Sequence, residues 1–332
     1  MRLIVLLATI LALAFAASPS LAGSVLDRIK QRGSVRCGAE LAPGLADMDE
    51  QAPVSGLLVD VCRAIAIAVL GPSGRVEFRG YGSSKDYDAI RHGEDDVFFL
   101  GASQILDEDL AGTVLPGPVV FYQWHALMQP THYSDRTEDL TGASICYLNG
   151  SGAARSLEAF AAARHLEFIR MAFTEDGEMD DAYNVQHCRA LVGEATTLAE
   201  VRLRRDPTER AYKNPADFDS RLLPQPLAVF PIFATTGTLD AAWSAVVAWT
   251  VYTLQRAETP QAAWASPGIS GLPIEAPQLG LDKGWQKQVV DSVGTYADMY
   301  RRRLGEDSPF KLPRGPNAPW TAGGLIAAPY AE

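Results

Sequence analysis

The chain has 332 residues, 47% of them hydrophobic and 21% charged, and a formal net charge of −11 at pH 7. This apolar content excludes a wholly disordered chain. The acidic balance argues against nucleic acid and anionic membrane surfaces as partners, because both call for a basic patch.

The N-terminus reads as an export signal. Arg2 gives a short positive region, Leu3 to Ala17 form an apolar run, and Ser20-Leu21-Ala22 supplies the small-x-small pattern of a cleavage site, so residues 1–22 are predicted to be removed. The alternative is a retained transmembrane helix, but the run falls short of the ~20 apolar residues needed and Pro19 interrupts its end. Trp243 to Leu254, the best later candidate, has the length of an ordinary core helix, so the mature chain is expected to be soluble. At ~100–200 residues per domain, what remains suggests two domains and two hydrophobic cores.

From there strands alternate with helices, which predicts an α/β fold. Val25 to Arg32 reads as a helix ended by Gly33, followed by a strand around Cys37 and a helix from Val59 to Leu70 stopped by Gly71-Pro72. Arg75 to Phe78 is a predicted strand, Lys85 to His92 a helix, and Asp96 to Leu100 a buried strand. Val119 to Met128 is long, aromatic and extended. A second set begins near Asp135: strand Ser144 to Leu148, helix Ala153 to His165, strand Phe168 to Phe173, helix Met179 to Asn184, and strand Arg189 to Val192. Helix Thr197 to Arg205 follows, then an extended Leu227 to Ala234 and a long helix from Leu239 to Arg256. The remainder is rich in Gly and Pro.

Four cysteines in an exported chain imply disulfides, and four allow three connectivities. Cys37 and Cys62 belong to one strand-then-helix stretch and Cys146 and Cys188 to a second, which predicts the pairs Cys37–Cys62 and Cys146–Cys188. A zinc site is disfavoured because no CxxC occurs.

Few motifs carry chemistry. Gly150-Ser151-Gly152 begins like a dinucleotide fingerprint, but Arg155 stands where the third glycine belongs. The turn therefore offers either backbone donors to an anion or polar oxygen at a helix N-terminus, or nothing beyond a tight turn. The five histidines form no i, i+4 pair, so no metal site is expected, and Gly-x-Ser-x-Gly is absent. Glu94-Asp95-Asp96 and Glu175-Asp176-Gly177-Glu178 lack calcium-loop spacing and read as solvated turns. Arg202-Leu203-Arg204-Arg205 and Arg301-Arg302-Arg303 read as solvated helix faces. The residues point to a binding protein with no cofactor and no catalytic set.

The stretch Gly280-Leu281-Asp282-Lys283-Gly284-Trp285, continued by Val293-Gly294-Thr295-Tyr296 and by Arg314 to Leu325, resembles the tail of the periplasmic general amino-acid-binding proteins of polar amino acid ABC transporters. So do Arg36-Cys37-Gly38, Asp60-Val61-Cys62-Arg63-Ala64 and Gly93 to Val97, and all four cysteines fall where that family places its own. The resemblance implies a type II periplasmic binding fold, two α/β lobes around a ligand cleft. Residues 23–130 would begin lobe 1, 131–234 would form lobe 2, and 235–332 would return to lobe 1 and extend beyond it. It also implies a monomer that captures a small polar solute, an amino acid or amine, and hands it to an inner-membrane ABC permease.

The family's carboxylate clamp is altered. Where the resemblance places a threonine-rich segment followed by arginine, this chain reads Ala102-Ser103-Gln104-Ile105-Leu106-Asp107-Glu108, so Ile105 takes the threonine position and Glu108 the arginine position. Like charges ~4 Å apart repel by about 4 kcal/mol at an effective dielectric near 20, against a standard amino-acid pose. The acid that receives the ligand amine corresponds to Glu194. Ser103, Glu108, Tyr122, Gly150, Ser151, Gly152 and Glu194 form the expected ligand-reading set. Tyr81, Tyr87, Phe121 and Trp124 also fall near the first lobe's cleft, although Tyr122 and Trp124 share one strand face. If Glu108 and Glu194 both face the cleft, the ligand is cationic or lacks a carboxylate; otherwise Glu108 meets solvent and another base, such as Lys85, grips a carboxylate. Two alternatives to transport stand beside this reading: an enzyme resembling the cyclohexadienyl dehydratases, with Glu108 or Glu194 as acid or base, and an orphan sensor.

Overall fold

The computed structural model describes residues 25–49, 52–81, 89, 92–106, 112–204, 219–258 and 279–329. The predicted signal segment, Lys85, Tyr87 and Glu108 lie outside the described residues, as does most of the helix expected from Lys85 to His92. Among the described residues no helix is long and apolar enough to cross a membrane.

The first alternating unit comprises α1 (Val25–Arg32), β1 (Ser34–Glu40), a small hairpin of β2 (Asp47–Asp49) and β3 (Ala52–Ser55), α2 (Leu57–Leu70), β4 (Arg75–Tyr81), β5 (Val97–Gly101) and the single turn α3 (Ala102–Ile105). The long β6 (Val114–Pro130) leads to the second unit: β7 (Ser144–Leu148), α4 (Gly152–Arg164), β8 (Ile169–Phe173), α5 (Asp176–Asn184), β9 (Ala190–Glu194) and α6 (Ala195–Arg204). The chain then runs through β10 (Ser220–Leu222), β11 (Ala228–Gly237), α7 (Ala241–Ala257), α8 (Trp285–Val293) and α9 (Tyr296–Arg303).

Eight strands follow the order β4-β1-β5-β11-β6-β9-β7-β8, with β10 paired to β6. The outer triplets β4-β1-β5 and β9-β7-β8 are each parallel, and the two long strands β11 and β6 run antiparallel between them. Parallel strands need crossover helices, which the α/β alternation supplies. The hinge-like pair needs none.

β6 is longer than the apolar stretch Val119 to Met128 because its proline-bearing start still pairs with β11, at a cost in register: the pairing shifts on both sides of Phe233. The β2–β3 hairpin was not legible, since three- and four-residue strands carry too little periodicity.

α2 is apolar almost all round and buried, packed between β1 and the helices α7, α8 and α9 that follow the second unit. The largest apolar cluster does not stop at one end of the sheet. It runs from Ile29 and Leu57 beneath Phe121 and Trp124 of β6 to Met179, Leu191 and Leu198. A smaller cluster fills the space between α4 and the other face of β7 and β9, around Ile145, Leu157 and Val192. The two expected cores are therefore joined by the shared strand β6.

Both disulfides form as paired from the sequence, Cys37–Cys62 tying β1 to α2 and Cys146–Cys188 tying β7 to the turn before β9. Two surface readings need correction. Asp95 and Asp96 are buried rather than solvated: Tyr81 Oη donates to Asp95, and Asp96 accepts from Arg32 and from the Arg36 N–H at 2.8 Å. Arg302 and Arg303 likewise do not merely face water. Arg303 donates to both oxygens of buried Asp60 at 2.9 and 3.0 Å, and Arg302 Nε to one at 3.1 Å, which locks α9 onto α2.

Candidate ligand-binding cleft

In parallel α/β sheets ligands bind beyond the carboxyl ends of the strands, where the connections diverge. Here two such ends face one space. β1 ends at Glu40 and β5 at Gly101, while β9 ends at Glu194 and β7 feeds the turn into α4 at Gly152. All four line a cavity of about 640 Å³, with Gln123 and His125 from β6 and Phe230 from the stretch alongside in β11.

The cavity floor belongs to the two connecting strands. Gln123 Nε2 donates to Glu194 Oε2 at 3.1 Å and to Thr196 Oγ1 at 2.8 Å. His125 Nδ1 lies 2.8 Å from Ser156 Oγ, and its ring packs on Phe230 with centroids 4.6 Å apart. On the first unit's side, Gln104 spans α3 and β1, accepting from the Gly101 N–H at 2.7 Å and donating to Glu40 Oε2 at 3.2 Å.

The charges are mixed. Glu40 and Glu194 enter from opposite ends, and Arg155 lines the same space from the first turns of α4. Burial raises the Glu194 pKa above the usual glutamate range, and the negative charge of Glu40 adds to this, while the Gln123 hydrogen bond pulls the other way. Burial depresses the His125 pKa, assisted by Arg155, so the imidazole is held toward its neutral form.

The expected residues distribute unevenly. Ser103, Gly152 and Glu194 line this cavity. Gly150 sits in the preceding turn at φ 73°, where a side chain would be strained, and its carbonyl accepts from Arg155 Nη1 at 2.8 Å. Ser151 caps α4, its Oγ accepting from the Ala154 N–H at 3.0 Å, and its own N–H donates to Leu148 O. Ser151 lines a neighbouring chamber rather than the main cavity.

Tyr122 is not among the walls. It belongs to the opposite side of β6, where Asn317 binds its backbone and a separate hollow includes Tyr252 and Gln255. Phe121 and Trp124 are core, and Tyr81 is turned to Asp95. The polar residues of β6, Gln123 and His125, face the cavity instead. Alternation along the strand groups Gln123 with His125 and sets Tyr122 apart, but does not say which face meets a cavity. Glu40 had no signal of its own, since only the sheet order brings the end of β1 opposite the end of β9.

No family model matches the chain. It is similar to the general L-amino acid-binding periplasmic protein AapJ of Rhizobium johnstonii, 28% identical over 334 residues that cover 96% of this chain and 95% of that one. It is similar also to the glutamate/glutamine/aspartate/asparagine-binding protein BztA of Rhodobacter capsulatus, 27% identical over 336 residues and 96% of each chain. Among solved structures, an ABC transporter periplasmic binding protein from Brucella ovis with glutathione bound matches with a TM-score of 0.66 and 26% identity, over 92% of this chain and 98% of that one. The resemblance carried by the C-terminal stretch and the cysteines thus extends along the chain, and the fold is the type II periplasmic binding fold.

Proposed function

We propose that this relative of the amino-acid-binding components of ABC importers is itself the periplasmic binding component of an importer, capturing a small solute that carries an ammonium group. The observation that carries the reading is the convergence of Glu40 and Glu194 on one cavity from the two ends of the sheet. Burial first, and then the charge of Glu40, raise the Glu194 pKa, and a cation bound between the two acids offsets both effects. Arg155 supplies the complementary charge for a ligand carboxylate, a charge-assisted contact stronger than a neutral one.

Between the parallel triplets the sheet is carried by β6 and β11, so bending of these strands would close Glu194 and Gly152 onto Glu40 and Ser103. Closure around the solute would then present both halves to an inner-membrane permease. Amino-acid recognition by AapJ and BztA, and the glutathione held by the Brucella ovis protein, support a ligand with an α-amino-acid end. The leader read over residues 1–22 and the periplasmic designation of AapJ support export to the periplasm, where the protein would act as a monomer.

The test is a thermal-shift panel of amino acids, glutathione, amines and simple carboxylates on the mature protein, since a ligand that binds only the native state raises its midpoint. Stabilisation by ammonium-bearing compounds is expected. Stabilisation by carboxylates alone would overturn the reading. The raised pKa of Glu194 also suits a general acid, which favours a lyase as the second reading. Recovery of every bound compound chemically unchanged after prolonged incubation separates capture from turnover.

A further inference from the structure

A second chamber of about 440 Å³ opens beside the cleft, between α5 and α6 and above the ends of β7 and β9. The two spaces share His125, Gly152 and Glu194 in their linings, so the chamber adjoins the part of the cleft where Glu194 stands. Its sides are apolar, formed by Leu148, Met179, Leu191, Leu198 and Val201. From Thr197 to Arg204 along α6 the chamber extends about 10 Å, at a rise of 1.5 Å per residue.

Two acids of α5 line the chamber. These, Asp176 and Asp180, stand four residues apart, hence on one face. Arg204 approaches Asp180 with one contact of 3.4 Å, but its side chain is 61% exposed and also reaches Glu200 at 3.7 Å. A guanidinium so placed is screened by water and shared, and it leaves the desolvated carboxylate under-compensated. In accord with this, burial pushes the Asp180 pKa up to about 6 in spite of Arg204.

An apolar chamber lined by Glu194, which it shares with the cleft, and by Asp180 on α5 matches a linear chain with a cation at its tip. We propose that this chamber is a second subsite, contiguous with the cleft, that takes the extended alkylammonium tail of the captured solute and delivers its terminal cation to Asp180. The subsite rests on the cleft reading above and adds a substrate class to it: basic amino acids and linear diamines or triamines in preference to short neutral amino acids.

The experiment is titration calorimetry of the mature protein with alanine, lysine, putrescine, cadaverine and spermidine, together with linear monoamines of matched length. Affinity is expected to rise with chain length only where a second ammonium is present. Asp180→Asn is expected to lower spermidine affinity about tenfold and to leave alanine within about twofold, as loss of one desolvated charge-assisted contact. Affinity indifferent to chain length, or an Asp180→Asn protein that holds spermidine as before while Glu194→Gln loses it, overturns the chamber and spares the cleft. Failure of every probe to bind overturns both.

Discussion

Gln123 and Glu194 are joined by a 3.1 Å hydrogen bond that ties a strand linking the two ends of the sheet to the acid at the cavity's edge. The same amide nitrogen donates to Thr196 at 2.8 Å, so the carboxylate is oriented from the strand on which bending would occur. Glu194 also lies opposite His125 in the β6–β9 pairing, and any change in the path of β6 moves the acid directly.

Glu194→Gln should weaken binding of an ammonium ligand by about tenfold or more, a loss of 1.5–3 kcal/mol typical of a charge-assisted hydrogen bond. Gln123→Ala should weaken it less, because the acid remains but loses its orientation. For wild type the affinity should fall as pH drops through the raised Glu194 pKa, above the range of an ordinary glutamate, since the protonated acid no longer attracts a cation. Calorimetry across pH 4 to 8 with both variants checks the set; a pH-independent wild type would contradict it.

Asp180→Asn should stabilise the unliganded protein at neutral pH. A carboxyl raised from 3.8 to about 6 in the folded state binds its proton more tightly there than in the unfolded chain, so it contributes favourably below 3.8 and loses that contribution as pH rises through 6. Discounted for the partial exposure of the site, the gain at pH 7.5 is about 1–2 kcal/mol and vanishes near pH 4. Urea unfolding at the two pH values measures it.

Reduction of the disulfides should cost stability at both ends of the molecule independently. With sequence separations of 25 and 42 residues, each closure is worth about 3–4 kcal/mol on the loop-entropy model. Paired Cys→Ala variants, one bridge at a time, should each lower the urea midpoint, and their effects should add.

Asn317→Ala should be among the more damaging substitutions remote from the cleft. The fully buried side chain accepts from the Tyr122 N–H at 2.7 Å, donates to the Tyr122 carbonyl at 2.9 Å, and lies 3.4 Å from Tyr296 Oη. Its removal strands two backbone groups of β6 at a cost of about 2–4 kcal/mol, read as a lower unfolding midpoint. Ligand affinity per folded molecule should change little, because Asn317 is behind the strand whose other face meets the cavity.

Glu194 was singled out only through the family resemblance, but the alternation of strands and helices and the pairing of the four cysteines were legible in the sequence itself. Each rests on local signals: 3.6- and 2-residue periodicity, Gly and Pro stops, and the placement of cysteines within one strand-and-helix unit. Glu108 and the stretch around it lie outside the described residues, so that part of the expected clamp stays a matter of sequence. Tyr122 carried an aromatic signal that says nothing about which face of a strand meets a cavity, and here the other face does.

What the sequence determined alone was the kind of layer each segment builds, because a side chain's propensity and period act within a few residues. Tertiary structure decided that β1 and β9 bring their ends to one space, that β6 and β11 lie between them, and that Glu40, Arg155 and His125 therefore keep company with Glu194. Those relations depend on strand order and on the parity of a seventeen-residue strand. Both are set by how apolar faces find one another across the whole chain, and no local window contains them.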